Sequence, residues 1–348
     1  MHYCGDYRTS YKQDMRIFQT PFIRVWMALL LLLLMLFPFV ASNYMLSILI
    51  QILIAVIGAV GLNILTGFTG QISLGHGAFI GIGAYTSGII TTKLGLPFWF
   101  ALPCGGLMAA FLGMFVGIPS LRLKGLYLAI ATLASQFILE WIFLRWEPLT
   151  GGSYGMILTR PSVGSFSFDR DSYYYFIVLA IAIVAVLFAT NLVRTRTGRA
   201  FMAVRDQYIS AEIMGINIFK YKLLAFGVSS FYAGVAGSLM GHYLMFISSE
   251  QFNIGVSIKY LAMIIVGGLG SILGAIYGAV FMILLPEVLT LVTSKLSWIY
   301  PNISDFILSI QDGVFGLIIV FFLIFEPDGI AHRWQLIKAY WKLYPFSY

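Results

Sequence analysis

RTRTGRAFMAVRDQYISAEIMGINIFKYK, residues Arg194–Lys222, separates two long apolar runs and decides how the chain is to be read. Arg194, Arg196, Arg199, Arg205, Lys220 and Lys222 face only Asp206 and Glu212. Such a basic excess between apolar spans marks a cytoplasmic loop, because Lys and Arg accumulate on that side of the membrane. A loop that only reverses the chain needs a few residues. This one is far longer, contains helix-forming stretches, and has Gly198 and Gly215 bracketing its middle. A structured cytoplasmic loop of this kind is expected to be a docking surface for a soluble partner, and the chain to be one component of a driven machine.

The 348 residues are 60% hydrophobic and 10% charged, with mean hydropathy +0.91. Soluble domains average roughly 45–50% apolar and about 25% charged residues. No soluble core hides that much apolar surface, so the class is an all-α polytopic membrane protein. Cys4 lies in a polar segment and Cys104 in an apolar run, so neither a disulfide nor a metal site is expected. The net charge of +7 sits at loop edges and forms no basic face with interleaved aromatics, which excludes nucleic acid as a partner. Neither an HExxH pair nor a Walker A loop is present, and the four histidines are scattered. Ser229 and His242 are too far apart along one helix to touch. This chain does not hydrolyse ATP by itself.

About 20 apolar residues cross the hydrocarbon core as a helix. The expected spans are Phe22–Ala41, Tyr44–Leu65, Ile72–Thr91, Phe98–Gly117, Leu126–Leu144, Tyr173–Val193, Leu223–Ile247, Ile272–Val292 and Phe306–Phe325. The first exceeds a signal-peptide core and reads as a retained helix. Arg8, Lys12, Arg16 and Arg24 place the N-terminus inside, as do Arg122 and Lys124 for their loop. Arg333, Lys338 and Lys342 do the same for the tail, while Glu147–Ser172, with Glu147, Asp169 and Asp171, fits outside. Two cytoplasmic termini require an even number of crossings, so the short run Val256–Gly267 should also cross, as about the tenth helix. Trp99, Trp141, Trp146, Trp298 and Tyr300 fall near span ends, where aromatic belts form. The division is then a cytoplasmic segment 1–21, a membrane domain 22–325 containing the loop 194–222, and a cytoplasmic tail 326–348.

Two segments depart from plain apolar helix. LTGFTGQISLGHGAFIGIGAY, Leu65–Tyr85, crowds Gly67, Gly70, Gly75, Gly77, Gly81 and Gly83 at the start of the third span. VGGLGSILGAIYGAV, Val266–Val280, carries Gly267, Gly268, Gly270, Gly274 and Gly278. Small residues let helix backbones approach closely. Glycine also permits irregular backbone, tolerated at membrane depth where it is buried in protein or lines a cavity. The segments occupy comparable places in two halves of about five spans, which an odd span number would invert relative to each other, as in transporters. With Thr66, Thr69, Gln71, Ser73, His76 and Ser271 beside them, Gly70, Gly75, Gly77, Gly267, Gly268 and Gly270 are candidates for a translocation pathway. The alternative for any one glycine is helix packing, and for His76 helix packing or proton transfer. Gln51, Asn63, Gln136, Glu140, His242, Glu287, Gln311 and Asp312 also fall in apolar runs, where polar groups usually face the bundle interior. Glu140, Glu287 and Asp312 lie toward outer ends, where an interfacial or subunit-packing role fits at least as well.

GLNILTGFTGQISLGHGAFIGIGAY resembles the hallmark of the LivM-like permease subunits of branched-chain amino acid ABC importers. The resemblance continues in order through RLKGLYLAIATLA, LTGGSYGM, TGRAFMAVRD, AEIMGINIFKYKLLAFGVSSFYAGVAGSL, GGLGSILGAIYGAVFMILLPE and FEPDGI, from about Gly61 to Ile330. It implies an inner-membrane permease paired with a second, homologous permease, two cytoplasmic ATPases that hold ATP and Mg, and an extracytoplasmic substrate-binding protein. No cofactor is expected on this chain. Gly198, Arg199, Arg205, Asp206, Ser210, Ala211, Glu212 and Gly215 then resemble a coupling loop that docks on the ATPases. Asp206–Gly215 would form its inserted helix, with Gly215 ending it. Ile209 stands where the wider importer consensus has glutamate, Phe137 where an acidic residue often follows ATLA, and Ala275 where a proline is usual. These departures leave the substrate open. A urea or amide permease and an ion-coupled secondary transporter are the competing readings.

Overall fold

The structure, a computed structural model, describes residues 21–120, 125–163, 166–168, 170–296, 307–326 and 328–343. Cys4, Arg8, Lys12, Arg16, Arg122, Lys124, Asp169, Trp298 and Tyr300 lie outside the described residues, as does the segment 1–20. The side chains of Gln311 and Asp312 also lie outside them.

The described chain is mostly helical: α1 Pro21–Val40, α2 Asn43–Asn63, α3 His76–Thr92, α4 Phe98–Ser120, α5 Leu126–Arg145, α6 Glu147–Thr150, α7 Asp171–Arg194, α8 Arg196–Asp206, α9 Tyr208–Ile213, α10 Ile218–Leu244, α11 Ile254–Gly267, α12 Ile272–Leu296, α13 Ile307–Phe325 and α14 Gly329–Leu343. Among the described residues, six helical segments are long and apolar enough to cross a bilayer: Asn43–Phe68, Phe98–Pro119, Leu126–Arg145, Asp171–Arg194, Ile218–Leu244 and Ile272–Leu291. Two small antiparallel pairings join loops, β1 Met156–Ile157 with β4 Phe246–Ile247 and β2 Ser162–Val163 with β3 Phe166–Ser167. Periodicity in so apolar a chain gives no sign of two-residue strands.

The long helices bury faces against one another and leave apolar flanks outward. α10 is the central post, packed on α2, α3 and α4. Its glycines make that approach possible: a methyl on Gly83 of α3 would run into the Gly234 backbone, and one on Gly237 into Ile80. Close packing of small residues is what holds membrane helices together, since lipid tails remove the hydrophobic drive between them. Phenols fix the rest of the frame. Tyr232 donates to the Ala185 carbonyl at 2.8 Å and Tyr174 to that of Leu239 at 2.6 Å, tying α10 and α7 in both directions. Tyr175 donates to the Leu34 carbonyl at 2.9 Å and brings in α1. The outward flanks of α1, α4 and α5 carry exposed Leu33, Phe111, Phe115, Ile130 and Trp141, a surface only hydrocarbon or another helix can cover.

Contacts sort the loops into two ends. At one end, Arg205 meets Gly67, Gln71 meets Lys222, and Gly329 rests against Gly268. At the other, Lys93 bonds Pro148 and Leu149, Arg160 pairs with Asp171 at 2.7 Å, and β1 pairs with β4. α3 and α11 are the short members, 17 and 14 residues, or about 25 and 21 Å against a core of about 30 Å. Irregular backbone precedes each, Gly70–Gly75 before α3 and a 3₁₀ turn, Ser249–Phe252, before α11.

Several sequence expectations shift in detail. The third helix starts at His76 rather than Ile72, because α2 runs on through a π-helical turn, Ile64–Phe68, and the chain then crosses Gly70–Gly75 without helix. α10 begins at Ile218, five residues early, where the Asn217 side chain caps its first turn by accepting from Lys220 N at 3.0 Å. The tail contains a helix, α14, that the sequence reading left unassigned.

Candidate functional site

The first glycine segment is a break in a helix whose polar side chains are buried, while Gly70 and Ile72 stay exposed. Thr66, Thr69, Gln71, Ser73 and His76 are all at least nine-tenths buried. Breaking a helix strands amide and carbonyl groups that the membrane cannot solvate. Local side chains take some: Thr66 Oγ1 donates to the Gln71 carbonyl at 3.1 Å, Thr69 Oγ1 to that of Leu65, and Gly75 N to Ser73 Oγ at 3.4 Å. Other helices take the rest. Leu74 N donates to Thr132 Oγ1 at 3.0 Å, Ala78 N to Gln136 Oε1 at 2.7 Å, and Gly77 N to Ser257 Oγ at 2.8 Å. Gln136 is the hub, for its Nε2 also donates to the Phe252 carbonyl at 2.6 Å and its Oε1 accepts from Ser257 at 3.2 Å. The α3 start is therefore held by α5 and α11.

His76 Nε2 donates to the Gly58 carbonyl at 3.0 Å, and its ring meets the edge of Tyr260. This is a packing arrangement, with a ring nitrogen on a carbonyl and the ring against an aromatic edge. A methyl on Gly75 would lie 2.8 Å from the Thr132 carbonyl, and one on Gly77 3.0 Å from that of Asn253, so both glycines mark close backbone approach.

The second segment meets the first. Asn63, the last residue of α2, donates from Nδ2 to the Ser271 carbonyl at 2.7 Å and accepts at Oδ1 from Gly270 N at 3.0 Å. Gly67 faces Gly270 so closely that a methyl there would strike the Gly270 amide. Gly267, Gly274 and Gly278 close the α11–α12 hairpin instead, each against backbone of the opposite arm. Of the candidate pathway residues, Gly270 and Ser271 meet the broken end of α2 at this seam, beside the basic loop, whereas Gly75, His76 and Gly77 pack against α2, α5 and α11 and Gly267 against α12. Within this chain they are packed and hydrogen-bonded. A separate cavity of about 670 Å³ between α4, α7 and α10 is lined by apolar groups such as Met114, Val184, Phe188 and Phe231, which suit hydrocarbon and not a zwitterion.

The loop folds as two helices. Thr195 caps α8, its Oγ1 accepting from Gly198 N at 3.4 Å. Phe201 and Val204 bury the inner face of α8, and Arg205 projects from its last turn. The single helix Asp206–Gly215 is corrected: Asp206 ends α8, Gln207 is extended, and α9 runs only Tyr208–Ile213. Gly215 does end the helix, at φ 83°, with Ile216 N returning to the Ala211 carbonyl at 3.0 Å. That left-handed turn is the usual glycine stop. Ala211 is small because it is buried, only 2% exposed, not because it presents a contact surface. Ser210 and Glu212 are exposed beside it. The groups offered outward are Ile209, Ile213 and Met214, the last two 82% and 83% exposed. Sequence reasoning named Ile209 only as a departure from the importer consensus and passed over the other two. The available signal was weak, for the loop also carries Phe201, Met202, Val204, Ile216, Ile218 and Phe219.

Glu287 accepts from Tyr44, consistent with an outer-end packing role, and Gln51 is exposed on α2. Among the described residues, no group of three metal-ligating side chains converges.

A multi-pass helical membrane protein, with broken helices seamed together beneath a folded basic loop, has the build of a transporter's membrane subunit. The chain belongs to the family described as branched-chain amino acid transport system / permease component, whose pattern matches residues 44–323. It is 30% identical over 331 residues to the high-affinity branched-chain amino acid transport system permease protein LivM of Escherichia coli strain K12, covering 88% of this chain and 74% of that one. It is similar to the autoinducer 2 import system permease protein LsrC of Enterobacter sp. strain 638, at 27% identity, 69% and 68% covered. The probable branched-chain amino acid transport permease protein LivM of Methanocaldococcus jannaschii is 25% identical, 66% and 68% covered. No solved structure matches.

Proposed function

We propose that this chain is the LivM-type permease subunit of an ATP-driven importer of branched-chain amino acids in a bacterial inner membrane. It works with a second permease, two cytoplasmic ATPases carrying ATP and Mg, and an extracytoplasmic binding protein. About ten helices cross, with both termini and the 194–222 loop in the cytoplasm. The observation that carries this reading is the family match over most of the chain, joined to a folded loop that holds Ile213 and Met214 out into solvent. Exposed apolar groups on a basic, water-facing loop are explained by a partner that covers them. Arg199 and Asp206 are exposed on the same loop, while Arg205 turns inward to the Gly67 carbonyl, beside the segments Thr66–Gly77 and Gly267–Ser271 between which substrate would pass when they part.

Reconstitution of the full complex in proteoliposomes tests this. Labelled leucine uptake should require ATP, the ATPases and the binding protein, and should be competed by isoleucine and valine. Uptake driven by an ion gradient without ATPases would overturn the importer assignment, and competition by urea alone would overturn the substrate.

A further inference from the structure

Arg205 touches both glycine segments at once. Its Nη1 donates to the Gly67 carbonyl at 2.9 Å, and its Nε to Asp206 Oδ1 at 2.8 Å. Gly67 lies in the π turn where α2 breaks, at the carbonyl end of the helix. A cation there is favoured by the partial negative charge of unpaired carbonyls. The stem of Arg205 runs past Gly70, where a methyl would come to 3.0 Å from Cγ. At Gly270, whose φ is 73°, a methyl would come to 2.9 Å from Nη1 and 3.2 Å from the Gly67 carbonyl. The guanidinium thus occupies a slot left open by glycines of two segments far apart in the chain, 207 positions for the neighbouring Asn63–Gly270 bond. Asn63 closes the same seam from the other side.

We propose that Arg205 is the positioning residue that carries movement of the loop into the seam. The link runs from the exposed Ile213 and Met214 through α9 and α8 to Arg205, then to Gly67 and Gly270. Its bond to the Gly67 carbonyl ties α8 to the broken end of α2, and Asn63 ties that end to Gly270 and Ser271, so a shift of α8 moves the broken end of α2 and the α11–α12 turn together. A lysine offers one point charge without the planar fork that engages Asp206 and Gly67 together. This inference rests on the docking reading of the loop, and the experiment separates the two.

Arg205→Ala and Arg205→Lys are made in the assembled importer. Three quantities are read: ATPase subunit retained on the purified permease, ATP hydrolysis, and substrate uptake. Hydrogen exchange of amides 64–70 and 268–271 is followed with and without the ATPases bound. The expected result for Arg205→Ala is normal retention and continued hydrolysis, with uptake reduced roughly tenfold, inside the range of couplings between distant sites. The exchange change that ATPase binding produces at 64–70 and 268–271 should vanish while that at 208–216 persists. Arg205→Lys should recover uptake only in part. Uptake within about threefold of wild type in Arg205→Ala, at the low end of such couplings, would overturn the proposal. So would joint loss of retention and uptake, which would make Arg205 a docking or folding residue. Retention that survives Ile213→Asp would instead overturn the docking reading.

Discussion

Replacing Ile213 and Met214 together by alanine removes the two most exposed apolar side chains of α9 and its exit turn. Each is more than four-fifths accessible in the isolated chain, so nearly the whole side chain is available for burial by a partner. Full burial of a side chain of this size contributes about 1.5–3 kcal/mol. Alanine keeps a part of that, so the pair should lose about 2–4 kcal/mol of docking free energy. At about 1.4 kcal/mol per tenfold, affinity for the ATPase falls roughly 30- to 1,000-fold. The permease itself should hardly notice, since substitutions at exposed sites usually stay within about 0.5 kcal/mol. Titration of purified ATPase onto detergent-solubilised permease measures the first quantity, and thermal unfolding the second. An affinity change below about threefold, or about 0.6 kcal/mol, with the protein still folded, would show that the pair is not in the interface.

Gln136→Leu strands Ala78 N and the Phe252 carbonyl in a buried place; at about 1–3 kcal/mol per orphaned group, unfolding in detergent should come at clearly lower temperature. Gly75→Leu drives side-chain atoms into the Thr132 carbonyl, 2.8 Å from the first added carbon; overpacking of about 1–3 kcal/mol should abolish uptake while insertion, judged by membrane fractionation, continues. Single cysteines at Tyr154 and Met214, with Cys4 and Cys104 replaced, should react with an impermeant reagent from outside and inside respectively, and the reverse pattern would invert the topology. Arg333 bonds Glu326 and holds its carboxyl below its ordinary value of 4.5. A lowered carboxylate pKa stabilises the fold above the ordinary value and loses that contribution as pH falls through the lowered one. Tail packing, followed by fluorescence of Trp334, should therefore loosen in acid, and Glu326→Gln should remove that dependence.

The long spans were legible because twenty apolar residues in a row have few alternatives. The basic loop was legible because charge is costly to move across a bilayer. Their exact ends were less so: α10 starts inside the basic loop, where Asn217 supplies a cap that looks no different from any loop asparagine. Gly67, Gly70 and Gly270 were found as glycines, but not as the two faces of one slot. That pairing depends on tertiary register, which spacing along the chain does not encode. Asn63, Thr132, Gln136 and Ser257 stood in the sequence as isolated polar residues in apolar runs. Thr132, Gln136 and Ser257 matter for the amides stranded at the α3 start, and Asn63 for the Gly270–Ser271 backbone, both visible only once the break is located. Ala211 misled because small size fits an interior position and an interface equally well.

The way α3 begins has a consequence for how the protein is made. Its first amides are held by Gln136 and Ser257, 58 and 180 positions further along the chain. A nascent chain that has just delivered residues 76–92 to the membrane has no partner for those groups. They can be satisfied only by water or lipid headgroups until α5 and then α11 have been synthesised. Biogenesis therefore has a late locking step, set by the ribosome reaching the far end of the message. A chain truncated before Ser257 should reach the membrane with α3 unlocked, a target for quality-control proteases however well its other spans insert.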